Sequence, residues 1–170
     1  MNFIFKFLLT LNATSWMLIV YAIKEKWSIF CIPYWAFHLI LVAVVILLSL
    51  GVLLMSKCFG KEYLSCCEEF SLADNEFLSV YLGYFFVSLS ISDIYTMIAV
   101  YLIVFVFTFL SQTQYFNPIY LLLGYHYYHI LTPAGTRVFV IKYGKVIRNK
   151  NDLELKNLRR INDTTFIEGR

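Results

Sequence analysis

The residues most able to bind a metal are four cysteines and three histidines, and their spacing argues against a metal site. Cys58, Cys66 and Cys67 lie in one polar stretch, but they lack the paired Cys-x2-Cys spacing of zinc ribbons and have no histidine beside them. His126 and His129 are three residues apart, and on the strand that we predict there an odd separation directs them to opposite faces. We therefore predict no metal and no cofactor. Lipidation of a cysteine near a membrane is an alternative use of these thiols.

Catalytic side chains are not indicated either. Glu68 and Glu69 are adjacent, so their carboxylates diverge on a helix or a strand and cannot act as an acid–base pair. The sequence contains no Gly-x-Ser-x-Gly, no His-Glu-x-x-His, no phosphate-binding glycine loop and no dinucleotide fingerprint. A lipid-modifying enzyme would need a nucleophile or a metal set that these residues do not supply. We predict that the protein is not an enzyme.

Four polar residues lie within or beside long apolar stretches: Asn12, Thr14, His38 and Asp93. In a membrane, Asn12 and Thr14 would face other helices, where hydrogen bonds between helices can satisfy them. His38 and Asp93 fall near the outer ends of predicted helices, which favours a headgroup-level position and a helix cap over a proton relay. The alternative is that all four converge on the water-filled path of a small channel or transporter.

The elements that position these residues are apolar stretches long enough to cross a bilayer. Trp35–Met55 holds 21 residues without a formal charge and would span roughly 30 Å as a helix. Apolar residues make up 60% of the chain and charged residues 15%, which is far from the composition of a soluble domain. The earlier stretch Phe3–Ile23 is longer than a signal-peptide core and has no small-x-small cleavage site, so we interpret it as another span.

The third apolar stretch, Phe77–Leu110, is too long for one span and contains a single charge at Asp93. Two short helices that meet near Asp93 fit a bilayer better, with Asp93 capping the second. We therefore predict a mainly α membrane protein. Its transmembrane domain, residues 1–112, has four helices at about 3–23, 35–55, 76–92 and 94–111.

The polar segments form the rest of the predicted fold. We expect the long loop after Met55 to contain an amphipathic helical turn at the membrane surface. Residues 113–170 are predicted to form a small β-containing cytoplasmic tail, because β-branched and aromatic residues flank the turn Pro133-Ala134-Gly135. Further short strands are predicted at 146–148 and 164–167.

Positive charge predicts that both termini lie in the cytoplasm. Four spans place Lys6, the loop after Met55 and the tail on one side, with Lys24 and Lys26 on the other. From Arg137 onward there are nine Lys or Arg and four Asp or Glu. Most of this excess is explained by topology, and the remainder favours a protein-docking surface over direct contact with nucleic acid. The predicted docking residues are Tyr125, Arg137, Lys142, Lys145, Arg148, Arg159 and Arg160.

The order of features resembles the membrane subunit of the Kiwa bacterial anti-phage system. In architecture the resemblance covers most of the chain. Recognisable short sequence patterns are confined to about the last fifty residues. It is carried by the four apolar spans followed by Asn117-Pro118-Ile119, Gly124-Tyr125-His126-Tyr127-Tyr128, the turn near Gly135, Val138-Phe139-Val140-Ile141 and Arg160-Ile161-Asn162-Asp163.

This resemblance implies a bacterial inner-membrane protein that oligomerises, detects phage attack at the envelope and works with a soluble DNA-binding partner. We therefore predict a sensor or scaffold that couples envelope perturbation to a soluble cytoplasmic effector. The short third and fourth helices would respond to bilayer deformation by tilting or repacking, and the tail would transmit that change. A small oligomeric channel or transporter is the alternative function.

Overall fold

A computed structural model describes residues 3–28, 32–56, 60–62, 67–111, 117–147, 157–161 and 164–168. Within these residues the chain forms five α-helices and six β-strands. It divides into two compact units. The helical unit comprises Asn2–Val52 and Glu76–Asn117, and the sheet unit comprises Leu53–Asn75 and Pro118–Arg170.

Four helices dominate the first part of the chain. They are α1 (Phe3–Lys24), α2 (Tyr34–Ser56), α3 (Glu76–Ser90) and α4 (Ile94–Leu110). The sequence predicted all four positions to within a few residues, because long runs of Leu, Ile, Val and Phe end at charged or polar residues.

The prediction of four membrane-spanning lengths is wrong for two of these helices. α1 and α2, with 22 and 23 residues, are long and apolar enough to cross a membrane. α3 and α4 are also apolar but have 15 and 17 residues. At 1.5 Å per residue they reach about 22 and 26 Å, short of a hydrocarbon core of about 30 Å. The break at residues 91–93 is what keeps each of them short.

Helix α1 packs against α3 and α4 and is hydrogen-bonded to α2. Its Met17 and Tyr21 form a buried cluster with Met97 of α4. Its N-terminal half meets the other end of α4, where the rings of Phe7 and Phe105 lie edge to face with centroids 5.4 Å apart. The two helices are therefore antiparallel.

Much of the helical unit's surface is apolar. α2 and α4 expose many large aliphatic and aromatic side chains, whereas polar side chains of α1 are buried. Exposed apolar surface on this scale is typical of a membrane or a protein interface. The residues concerned include Leu39, Ile40 and Leu47 of α2, and Leu102, Ile103, Phe107 and Leu110 of α4.

The sheet unit contains one mixed six-stranded sheet with the order β1-β5-β6-β4-β3-β2. A short helix, α5 (Pro118–Leu122), precedes β3. All neighbouring strands are antiparallel except β4 and β6. The strands are β1 (Lys61–Glu62), β2 (Glu69–Leu72), β3 (Tyr125–Leu131), β4 (Arg137–Tyr143), β5 (Leu158–Arg160) and β6 (Thr165–Glu168).

The predicted β-hairpin of the tail is confirmed. β3 and β4 pair along their whole length, from Leu131 opposite Arg137 to Tyr125 opposite Tyr143. Gly135 adopts a φ of 74° in the connecting turn, a conformation that favours glycine. The predicted strand at 164–167 is found as β6. The one predicted at 146–148 is wrong for its described residues, because Val146 and Ile147 lie outside any strand.

Where the structure describes the loop after Met55, it contributes to the sheet and not to the expected helical turn. Its described residues supply β1 at one edge and β2 at the other. Both strands are short, which is typical of sheet edges. One face of the sheet between them packs a hydrophobic core of Tyr128, Ile130, Val138, Val140, Leu158 and Phe166.

Candidate functional site

One end of the sheet carries a row of four ionisable side chains. His126 on β3 lies directly opposite Lys142 on β4, so their side chains share a face. Asp74 follows β2, the neighbour of β3, and Glu168 ends β6, the neighbour of β4. Strand register therefore assembles Asp74, His126, Lys142 and Glu168, which we call the charged row.

The charged row consists of one ion pair, between Lys142 and Glu168, and one hydrogen bond, between His126 and Asp74. His126 Nδ1 lies 2.7 Å from Asp74 Oδ2, and Lys142 Nζ lies 2.7 Å from Glu168 Oε1. All four side chains are between 14% and 22% exposed, which limits screening by solvent. Each carboxylate also accepts a backbone N–H: Tyr127 donates to Asp74 Oδ1 at 2.7 Å and Tyr143 to Glu168 Oε2 at 3.2 Å.

This geometry can hold strands in register. A carboxylate on one ring nitrogen fixes the orientation of a histidine, as in acid–base catalysis. In the described part of the chain, however, no serine, threonine or cysteine bonds to His126. No group of three or more His, Cys, Asp or Glu among the described residues could hold a metal ion.

The cysteine and histidine predictions can be placed on this sheet. His126 and His129 lie on β3 as predicted, with His126 in the charged row and the ring of His129 packed 5.2 Å from that of Phe139. Cys67 is a half-buried free thiol. Cys58 and Cys66 lie outside the described residues.

The predicted docking residues are spread over the sheet unit. Lys142 is paired with Glu168, and Arg137 lies at the opposite end of β4. Five residue steps along the strand place these two about 17 Å apart. Arg159 and Arg160 lie on β5. Lys145 is exposed in the turn after β4, and Arg148 lies outside the described residues.

Tyr125, also predicted to dock a partner, is part of an aromatic cluster. Its ring lies 6.2 Å from that of Tyr120 and 5.2 Å from that of Tyr143, centroid to centroid. Tyr120 is almost fully buried, and burial raises the pKa of its phenol well above the usual range. Tyr125 thus has a packing role between α5 and β4.

A second polar cluster lies inside the helical unit. Asn12 of α1, Ser49 of α2 and Asn117 are each no more than 2% exposed. Ser49 Oγ accepts hydrogen bonds from Asn12 Nδ2 at 2.9 Å and from Asn117 Nδ2 at 3.0 Å. Its own hydroxyl has Val45 O at 2.9 Å as an acceptor. We call these three residues the buried triad.

Sequence reasoning identified Asn12 but missed its partners. Ser49 is the lone hydroxyl in the interior of α2, and Asn117 precedes a proline, where a helix break is the obvious interpretation. The available signal was that a polar group within an apolar span needs a partner on another element.

The other predicted polar residues have separate partners. Thr14 lies 3.2 Å from the hydroxyl of Tyr101 on α4, and also donates to Thr10 O within α1. His38 Nε2 lies 3.0 Å from Ala22 O. In these bonds Asn12, Thr14 and His38 do not contact one another.

Asp93 caps helix α4, as the sequence predicted. Its Oδ2 accepts the Thr96 N–H at 2.8 Å and the Thr96 hydroxyl at 3.0 Å. These hydrogen bonds to the charged form hold the pKa of the Asp93 carboxyl below its usual range. At the same end of the unit, Lys24 Nζ donates to Ile91 O at the end of α3.

Comparison with known proteins identifies a family. The family model described as "Anti-phage protein KwaA" matches residues 5–167. That range includes both the helical unit and the sheet unit. No curated protein and no solved structure matches the chain.

Proposed function

Since the chain belongs to the KwaA family of anti-phage proteins, we propose that its part in phage defence is that of a membrane sensor and scaffold. It detects perturbation of the bacterial envelope and passes the change to a soluble cytoplasmic effector that binds DNA. It contacts lipid and further copies of itself, has no direct contact with nucleic acid, and performs no catalysis.

A location in the bacterial inner membrane is supported by the surface of the helical unit. α1 and α2 have the length of spans, and the exposed faces of α2 and α4 are apolar. The charged residues at the ends of α1, Lys6 and Lys24, agree with crossing by that helix. In this proposal the shorter helices α3 and α4 lie in the bilayer beside them, and both termini are cytoplasmic.

The observation that carries the sensor proposal is the short connection between α3 and the sheet. α3 begins at Glu76, two residues after Asp74, and Asp74 is bonded to both His126 and Tyr127 of β3. A 15-residue helix is poorly matched to a bilayer of ordinary thickness, so thinning or thickening changes its preferred tilt. Tilt of α3 would be passed through Asp74 to β3.

Bilayer thickness provides the experiment. The full chain is reconstituted in nanodiscs made with lipids of increasing acyl-chain length, and hydrogen exchange is followed in β2 and β3. We expect exchange in these strands to depend on thickness, and expect Asp74→Ala to abolish the dependence. Exchange that is the same in all bilayers would contradict the proposal.

A channel or transporter is less well supported. The buried triad is its best starting point, because polar groups inside a membrane often mark a pathway. However, the triad's amide and hydroxyl groups bond to one another, and Thr14 bonds to a different helix. Ion flux through liposomes that Ser49→Ala abolishes would favour the channel instead.

A further inference from the structure

We propose that Asn117 acts as a latch. It lies where the chain passes from the helical unit to the sheet unit, a point that we call a crossing, and it makes the position of the chain there depend on the packing of α1 against α2. The latch itself is a structural claim about the chain. Its use in signalling rests on the proposed sensor function.

The position of Asn117 makes it suitable for this role. It is the last residue of the helical unit, and Pro118 starts α5 in the sheet unit. α5 leads through Gly124 directly into β3, and its Tyr120 is almost fully buried. Whatever holds Asn117 therefore limits the freedom of the chain as it enters the sheet unit.

The bonding of Asn117 connects it to two helices at once. Its Nδ2 donates to Ser49 Oγ, the same atom that accepts a hydrogen bond from Asn12 Nδ2. A shift of α1 relative to α2 changes the position of Asn12 with respect to Ser49, and so changes the geometry available to Asn117. The shared acceptor makes Asn117 responsive to the packing of these two helices.

The surroundings make the latch a two-state element. All three side chains are excluded from solvent, so water is not at hand to replace a lost partner. Loss of one bond leaves a buried polar group without that partner, so a partly broken triad is less favourable than an intact one. Discrete alternatives of this kind can convert small helix shifts into a change of state.

The chain also passes between the two units at Asn75–Glu76, and different bonds hold it there. At Asn75–Glu76 the chain is held by Asp74, which bonds to His126 within the sheet unit. Asn117, in contrast, is held within the helical unit. The crossing at Asn75–Glu76 is thus held by bonds within the sheet unit, and the crossing at Asn117 by bonds within the helical unit. Repacking of α1 and α2 would act at Asn117 through its bond to Ser49.

Hydrogen exchange of the full chain in nanodiscs tests the latch. The variants are Asn117→Ala and, as a milder change that keeps Asn117 itself, Ser49→Ala. Matched controls are Asn75→Ala, an exposed asparagine at the other crossing, and Ser90→Ala, an exposed serine whose hydroxyl also bonds to a carbonyl four residues earlier.

We expect both triad variants to raise exchange in residues 118–124 by about tenfold while β4 and β6 keep their protection. The two controls should leave residues 118–124 unchanged. Unchanged exchange in Ser49→Ala, or an equal rise throughout the sheet in both triad variants, would overturn the latch.

A second readout separates the latch from the sensor function. Protection of cells against phage is measured for the same four variants. Raised exchange with lost protection supports both the latch and its role in signalling. Raised exchange with intact protection supports the latch and overturns that signalling role. Unchanged exchange overturns the latch whatever the protection.

Discussion

The helical unit and the sheet unit satisfy their buried polar groups in different ways. The helical unit uses neutral side chains, and the buried triad of Asn12, Ser49 and Asn117 contains amides and a hydroxyl without a formal charge. The sheet unit also uses charged side chains that keep some contact with solvent, as in the ion pair of Lys142 with Glu168. Neutral groups can be buried in lipid at modest cost, whereas ionised groups need water or a close counter-charge. The contrast supports the proposal that the helical unit lies in the membrane and the sheet unit in water.

Introducing a charge into the triad should have the largest effect. Asn12→Asp replaces an NH2 group by an oxygen of similar size and places a carboxylate among fully buried neighbours. We expect a loss of about 3 kcal/mol in stability, seen as a lower melting temperature in detergent and less protein in the membrane fraction. The control Asn75→Asp, at an exposed position, should behave like the unmodified chain. Equal melting temperatures for Asn12→Asp and the control would show that the helical unit tolerates a buried charge, which would contradict the contrast between the two units.

Truncation of Asp74 should have the next largest effect. Asp74→Ala leaves both the ring of His126 and the N–H of Tyr127 without this acceptor in a partly buried site. We expect a loss of about 2 kcal/mol and faster hydrogen exchange in β2 and β3. Glu69→Ala removes an exposed carboxylate from β2 and is the matched control. If hydrogen exchange in β2 and β3 is the same in the two variants, the charged row does not stabilise the pairing of β2 with β3.

Variants of the Lys142–Glu168 ion pair test whether an unpaired, partly buried charge lowers stability more than the loss of the attraction itself. Lys142→Met leaves Glu168 unpaired, and we expect a loss of about 1 kcal/mol. Adding Glu168→Gln removes the isolated charge and keeps an acceptor for the Tyr143 N–H. The double variant should regain at least half of the loss, measured by a double-mutant cycle in chemical denaturation. A double variant less stable than Lys142→Met would contradict this reasoning.

The cap of α4 should produce the smallest effect, and one that depends on pH. Because the pKa of Asp93 is lower in the folded chain than in the unfolded one, its contribution is present at neutral pH. It is lost as pH falls through the folded pKa, below the ordinary value of about 4. Asp93→Asn keeps a capping oxygen and should melt with less dependence on acid between neutral pH and pH 3. An identical acid dependence would show that the cap does not contribute.

The sequence predicted those parts of the fold whose signals are local. Trp35–Met55 corresponds to α2 at Tyr34–Ser56 because a long uncharged run allows little besides a buried or membrane helix. The hairpin was predictable from the turn containing Gly135. The strands β1 and β2 were not, because two or four residues carry no clear period, and pairing with β5 and β3 defines them.

The candidate sites depend on contacts that are distant along the chain. The charged row collects residues 74, 126, 142 and 168, which only strand register brings together. Lys142 is recognisable in the sequence as a basic residue, but its pairing with Glu168 is not. Asn117 had a clear local interpretation as a helix breaker, and its bond to Ser49 spans 68 positions. Long-range partners are what the sequence pattern leaves out.

The central claim is that this member of the KwaA family couples the membrane to a soluble effector, and purification of the full chain in mild detergent tests it most directly. Cells that carry the complete defence system are compared before and after phage adsorption. We expect a soluble partner to co-purify in a fixed ratio, and expect phage adsorption to change that ratio. Recovery of a homo-oligomer alone, before and after adsorption, would contradict the account.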